Sequence, residues 1–260
     1  MASTPLSATQ EAPWTLAPED LPKVDNLVTE DDTPVDNLFS AKQQRLLVEP
    51  LYSSWSGPGA GRPFLADANV GVFYSVHQPP LVPDAFLSLD VQAPEDLWTK
   101  SHRSYFFWEY GKPPEVVVEV VSNQKGAEAE RKLRDYARLG ITYYVIFDPI
   151  NQLQGGVLRV YRLHEGVYRQ TTEGWLPMAG IGITLWQGVY EGLTQTWLRW
   201  CVQDGTVIPT GAERAEQERQ RAEQERQRAE QERQRAEQER QRAERLAAQL
   251  RALGIEPQDA

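Results

Sequence analysis

One cysteine, three histidines and two methionines in 260 residues leave little room for several kinds of chemistry. Cys201 has no second cysteine to bond, and a structural zinc centre built on cysteines is excluded for the same reason. His77, His102 and His164 show no ligand spacing with one another. No run approaches the roughly 18 consecutive apolar residues that cross a bilayer, and the opening MASTPLSATQEAPW has neither a basic start nor an apolar stretch. These absences predict a cytoplasmic chain without a membrane segment, held together by burial. Also missing are a glycine-rich phosphate loop, a G-x-S-x-G elbow and a helix-turn-helix signature.

What is present suffices for one substantial core: 40% hydrophobic residues, 10% of the chain aromatic. The formal charge of -10 is unevenly spread. From Ala212 to Arg251 there are 11 Arg and 10 Glu, a net of +1; the last nine residues carry -2, which leaves -9 on residues 1–211. An acidic body argues against coating nucleic acid non-specifically, since that depends on neutralising many phosphates, but leaves room for a local basic groove.

Three segments follow from composition. Residues 1–35 hold five prolines among Ser, Thr, Asp and Glu and read as a flexible leader. Residues 36–205 read as the globular domain, and 206–260 as a linker and long charged helix. The domain begins with a helix N-capped near Ser40 and bent or ended by Pro50. Strands are expected at 69–76, 84–91, 115–122 and 142–148, with a helix over 125–140 stopped by Gly140. Strand, helix, strand at this spacing predicts a βαβ unit with parallel or near-neighbour strands. A hairpin turned at His164-Glu165-Gly166 comes next, and 184–202 is expected to close the domain as a strand or turn and a helix. In the tail AEQERQR occurs four times without a gap, over 215–242, from strong helix formers with Glu and Arg three or four apart. Each heptad has one apolar residue, alanine, so a lone charged helix and a weak coiled coil remain equal readings; only Leu246, Leu250 and Leu253 form an apolar stripe.

Acidic residues inside apolar strands are the most informative chemistry, because a carboxylate turned into a core is costly unless paired, protonated or bound to metal. Glu119 interrupts Val116-Val117-Val118 and Val120-Val121, and alternation places it on the face of Val117 and Val121. Asp84 starts another strand after Pro83. Two carboxylates on neighbouring strands can hold one Mg²⁺ or Mn²⁺ while water and phosphate complete its shell. On a helical projection of 125–140, Ala129, Leu133, Tyr136, Ala137 and Leu139 share a face, and Lys132 projects among them. A cation there is placed to reach Glu119 and to orient a water or stabilise developing charge; Glu128, one turn earlier, could help position it.

At these residues the chain resembles the Uma2 family, a lineage of the PD-(D/E)XK nuclease superfamily abundant in cyanobacteria. The resemblance rests on PDAFLSLDV (83–91), PPEVVVEVVSNQ (113–124), KLRDYARLGITYYVIFDP (132–149) and the closing hairpin, and spans roughly residues 36–200. It implies an α/β fold, a restriction-endonuclease-like mixed β-sheet flanked by helices, here followed by the charged helix. It also implies a divalent-metal-dependent endonuclease acting on DNA, with Mg²⁺ or Mn²⁺ on Asp84 and Glu119 and with Lys132 as the catalytic lysine. Most of the superfamily sets that lysine two positions after the acidic residue, where Val121 stands; the Uma2 pattern moves it onto the next helix, and Lys125 is the lesser stand-in. An acidic residue ahead of the first helix is also implied, and Glu30 and Asp36 both qualify.

Plainer readings stand beside these. Asp84 after proline can be a turn cap, Glu119 and Lys132 a structural ion pair, and Asp148 a turn residue before Pro149. Trp98, Tyr105, Phe106, Phe107, Trp108 and Tyr110 can form a folded flap, a dimer contact or a stacking surface for bases, next to the basic residues Lys100, His102, Arg103 and Lys112 where DNA phosphates are expected. The alternative to an enzyme is a catalytically inactive scaffold that uses the nuclease fold and the charged helix to recruit partners or to form a homo-oligomer.

Overall fold

The computed structural model describes residues 37–59, 61–122 and 126–252, together with 21, 23 and 27; for 126–130 it describes the backbone alone. The leader, Glu30, Asp36, Lys125, Leu253 and the side chain of Glu128 lie outside the described residues. The chain divides into two compact units, one ending at Thr210 and one beginning at Gly211.

The first unit opens with α1 (Leu38–Ser53). Its cap is Asn37, whose Oδ1 accepts from the Ser40 amide at 2.9 Å; the expected cap, Ser40, is instead buried inside the first turn. An asparagine one residue before the first helical position satisfies that orphan amide directly, so the serine is not needed for it. The helix runs through Pro50 to Ser53. Only one ladder bond is lost to the proline, and burial of Leu46, Leu47 and Leu51 at helical spacing outweighs it.

The main sheet has six strands: β1 (Phe64–Asp67), β3 (Ala85–Leu89), β5 (Val116–Val120), β6 (Tyr143–Phe147), β7 (Leu158–His164) and β8 (Val167–Thr171). They lie side by side in the order β1-β3-β5-β6-β7-β8. Only β5 and β6 are parallel, and α3 (Gly126–Arg138) connects them, as the βαβ spacing predicts. β7 and β8 form the expected hairpin, turned by Glu165 and Gly166, both at positive φ. A paired two-strand element joins β2 (Val72–Phe73) to β4 (Tyr105–Phe106). The strand expected over 69–76 thus shrinks to two residues. Its neighbour β1, a short edge strand, carries no sequence signal distinct from the preceding Gly- and Pro-rich stretch.

The expected closing helix in 184–202 is absent. In its place β10 (Ile181–Tyr190) and β11 (Leu193–Cys201) form a long hairpin, with β9 (Trp175–Leu176) completing a three-stranded sheet. The turn residues Glu191 and Gly192 both have positive φ, the geometry of a two-residue hairpin, and Lys42 and Arg45 of α1 hold the Glu191 carboxylate. Four β-branched or aromatic residues over 194–200 favour the pleated surface over a helix.

Two cores sandwich the main sheet. One face packs Leu87, Val118 and Val145 against Leu47 and Leu51 of α1 and against Ile183, Leu198 and Trp200. The other packs Phe86, Val117, Tyr144 and Ile146 against Tyr136 of α3. Helix α1 also closes one edge of each of the two larger sheets, β11 and β1. Gln43 donates to the Leu198 carbonyl (2.8 Å) and accepts from its amide (3.0 Å), while the Tyr52 hydroxyl does the same for Ala66 at 3.0 and 2.9 Å. Each side chain stands in for a neighbouring strand's peptide, which is how an edge is kept from pairing elsewhere. The second unit is α4 (Gly211–Ala252), a single helix of 42 residues with no buried residue. In every AEQERQR repeat the Glu that follows alanine accepts from the Gln four residues on.

The fold class is therefore mixed α/β, a helix-flanked mixed sheet with a long charged C-terminal helix. Among the described residues no helix is long and apolar enough to cross a membrane.

Candidate active site

Alternation along β5 turns Val117 and Glu119 towards α3, while Val116, Val118 and Val120 face α1 and the second sheet. The antiparallel register pairs Ala85 with Val118; one step further sets Asp84 opposite Glu119. Asp84 is fixed there by the Val120 amide, which donates to its Oδ2 at 2.6 Å, and by Gln44 Nε2, which donates to its Oδ1 at 2.9 Å. From the other side, Lys132 on α3 reaches Glu119 Oε2 at 2.6 Å, and the Tyr136 hydroxyl donates to Oε1 at 2.7 Å. Lys132 and Tyr136 are one helical turn apart, so a single face of α3 delivers both.

The structure thus brings Asp84, Glu119 and Lys132 together. Three partners escaped the sequence reading. In the sequence Tyr136 reads only as part of an apolar face. Gln44 lies in the same helical stripe as Leu47 and Leu51, and a glutamine at such a position is itself a sign of a buried hydrogen bond. Asn69, held at positive φ, exchanges amide hydrogen bonds with Gln44 at 3.0 and 3.2 Å and had no signal. Of the basic stretch, Lys112 is committed elsewhere, donating to the Leu89 carbonyl at 2.6 Å and pairing with Glu115. The aromatic cluster divides: Tyr105 and Phe106 are core residues, whereas Trp98 is 84% exposed. Asp148 is fully buried and accepts from the Gln152 and Leu153 amides, as a turn residue does.

Electrostatically the site is dominated by burial. Burial pushes the Glu119 carboxyl up to about 7; Lys132 opposes that rise and Asp84 adds to it. Burial also carries the Tyr136 hydroxyl well above its ordinary range, with the Glu119 charge adding to the effect. Because the folded value of Glu119 lies above the ordinary 4.5, the protonated carboxyl favours the fold. That contribution is complete below about 4.5 and is lost as pH rises through about 7. Urea titrations of the metal-free chain should therefore show stability falling between about pH 5 and about pH 8, by on the order of 1–3 kcal/mol, with the fall removed in Glu119→Gln. An equal slope in the variant would assign the effect to another group.

Asp84 and Glu119 offer only oxygen donors, the type that hard divalent cations take. Each of their four oxygens accepts a described hydrogen bond. Among the described residues no group of three or more His, Cys, Asp or Glu side chains is gathered. Among the described residues a cation here would have two carboxylate ligands, and water and phosphate can fill other positions of its shell, as is common for Mg²⁺.

The first unit is thus a mixed α/β domain in which a carboxylate on β5, another just before β3 and a lysine of the crossover helix lie together. The model of the Uma2 family, described as a putative restriction endonuclease, matches residues 30–179, and the chain belongs to that family. Among solved structures, a putative nuclease belonging to DUF820 from Anabaena variabilis is similar: 15% identical, covering 54% of this chain and 71% of that one, with a TM-score of 0.38. No curated protein matches the chain.

Proposed function

We propose that the first unit is a divalent-metal-dependent endonuclease that hydrolyses DNA phosphodiester bonds. The observation that carries this reading is the meeting of Lys132 with Glu119 opposite Asp84, since a structural ion pair alone has no use for a second carboxylate across the strand. Asp84 and Glu119 would hold Mg²⁺ or Mn²⁺, which when bound supplies Lewis-acid polarisation of the phosphate and of a coordinated water. Lys132, once its ion pair with Glu119 is shared with the cation, is placed to orient the attacking water and to balance charge on the phosphoryl oxygens. Tyr136 holds Glu119 in its rotamer, and Gln44 with the Val120 amide does so for Asp84. Family membership supports the assignment to nucleases; substrate and metal are this proposal's own.

The test is a calorimetric Mn²⁺ titration of the full chain against Asp84→Ala, paired with plasmid cleavage. Saturable binding that weakens at least about tenfold in the variant is expected, a loss typical of removing one charged ligand. The same assay on a chain ending at Thr210 separates the division of labour we propose, with residues 36–205 carrying the chemistry and the charged helix dispensable for it. An inactive scaffold would give neither saturable binding nor cleavage, and would keep its role only with α4 present.

A further inference from the structure

A cavity of about 730 Å³ is lined by residues of α1, β1, β3 and the segment from Ala93 to Tyr110 and has no part in the chemistry above. Its position follows from three elements. On α1, the wall residue Val48 is one helical turn beyond Gln44, and on β3, Phe86 lies two residues beyond Asp84 on the same face. On β1, Asp67 is the register partner of Phe86 and shares that face. These wall residues are one helical turn or two strand residues from Gln44 and Asp84, roughly 5–7 Å along the backbone.

Its walls are aromatic. Tyr105 and Tyr110 stack with ring centres 4.5 Å apart, and Phe86 meets Tyr105 edge-on at 5.2 Å. Trp98 lines the same cavity with its indole 84% exposed, although its backbone is tightly held. The Trp98 amide donates to Asp96 Oδ1 at 2.8 Å, its carbonyl accepts from Arg103 Nε at 3.0 Å, and Thr99 Oγ1 donates to Asp96 Oδ2 at 2.5 Å. An indole kept in water on a fixed turn gains by having a flat ring laid against it. Its polar lining sets the Asp67 carboxylate, which can only accept hydrogen bonds when ionised, and the Arg103 guanidinium beside Ser104, His102 and tyrosine hydroxyls. A volume in the range of roughly 300–1,000 Å³ suits one small planar ligand, and a stacking ring beside positive charge suits a nucleotide.

We infer that this cavity takes a single unpaired nucleobase of the DNA strand whose phosphodiester lies at Asp84 and Glu119. The inference rests on the proposed nuclease reading and deepens it. Trp98 stacks on the base, Arg103 sits by the flanking phosphate, and Asp67 accepts from an exocyclic amine. Adenine, cytosine and guanine are therefore preferred over thymine, which lacks that amine. A base paired within a duplex is stacked on both faces and cannot enter, so single-stranded, flapped or mismatched DNA is the favoured substrate.

The experiment measures binding of the full chain, in Ca²⁺, to a single-stranded oligonucleotide with one 2-aminopurine, a fluorescent base that carries the amine and is quenched by stacking. Saturable quenching is expected, weakened about tenfold or more in Trp98→Ala, the size associated with losing one stacked base. Poly-dA should compete better than poly-dT in the wild type, with the difference lost in Asp67→Asn. The exposed indole makes the Trp98 variant safe for folding, which circular dichroism checks. No binding, binding without quenching, or an unchanged Trp98→Ala overturns the inference. Competition by dAMP as strong as by the strand would make a free nucleotide the ligand and overturn the strand assignment. Plasmid cleavage keeps the two readings apart: metal-dependent cleavage without quenching leaves the nuclease reading standing, and quenching without cleavage leaves the base site standing.

Discussion

Lys132→Ala should lower metal-dependent DNA cleavage by about 10²–10⁴-fold, the range seen when a positioned charge or proton-transfer group is removed from a reacting centre. The fold should survive. Lys132 is half-buried at the rim of the site, and the Glu119 it leaves behind already sits high enough, at about 7, to take up a proton rather than remain a buried charge. Lys132→Arg is a useful companion, because the guanidinium is broader and more rigid than an ammonium and should rescue little. Glu119→Gln should be at least as damaging to cleavage, yet should remove the pH dependence of stability. The measurement is initial rate on supercoiled plasmid in Mg²⁺ and in Mn²⁺, with a thermal melt for each variant. Wild-type rates in Lys132→Ala, with the melt unchanged, would reduce the Lys132–Glu119 pair to a structural contact.

The largest effect on stability is expected at Gln43, which no chemical argument singles out. Gln43→Leu keeps the side chain's bulk but strips both hydrogen bonds from Leu198, whose side chain is fully buried. Leaving a buried amide and carbonyl unpaired costs about 1–2.5 kcal/mol each, so a loss of about 2–5 kcal/mol is expected. For a unit of this size that corresponds to roughly 4–20 °C in melting temperature. Tyr52→Phe makes the corresponding change at the β1 edge of the main sheet but should cost less, about 1 kcal/mol, because Tyr52 is more than half exposed and water can replace it. Equal and small losses at both positions would mean that β11 finds another partner when Gln43 is gone.

The candidate site was partly legible for a specific reason. A carboxylate within a valine run and a lysine on an apolar helical arc are each local contradictions of pattern, and Glu119 and Lys132 stand out on that ground alone. Their meeting at 2.6 Å is the resolution of both contradictions at once. Gln44, Asn69 and Tyr136 broke no rule strongly enough to be noticed, since amides and phenols are tolerated in half-buried positions. Their part emerges only when α1 and α3 are laid against opposite faces of the same sheet.

A similar division runs through the fold. Where stability is decided within a few residues, the sequence suffices: α4 follows from four identical heptads of strong helix formers, and β5, α3 and β6 follow from two apolar runs separated by an amphipathic one. The hairpin of β10 and β11 is different, because a segment rich in Trp, Leu and Val reads as either a strand or a buried helix until its partner is known. Pairing with β10 and capping by Gln43, 155 residues away in sequence, settle the matter. Sequence alone determined which residues carry charge into apolar surroundings and which segments repeat. Only the tertiary structure decided which of those charges meet, because the hydrogen bonds that hold Asp84 and Glu119 come from α1, β5 and α3, elements that chain order separates and packing alone brings together.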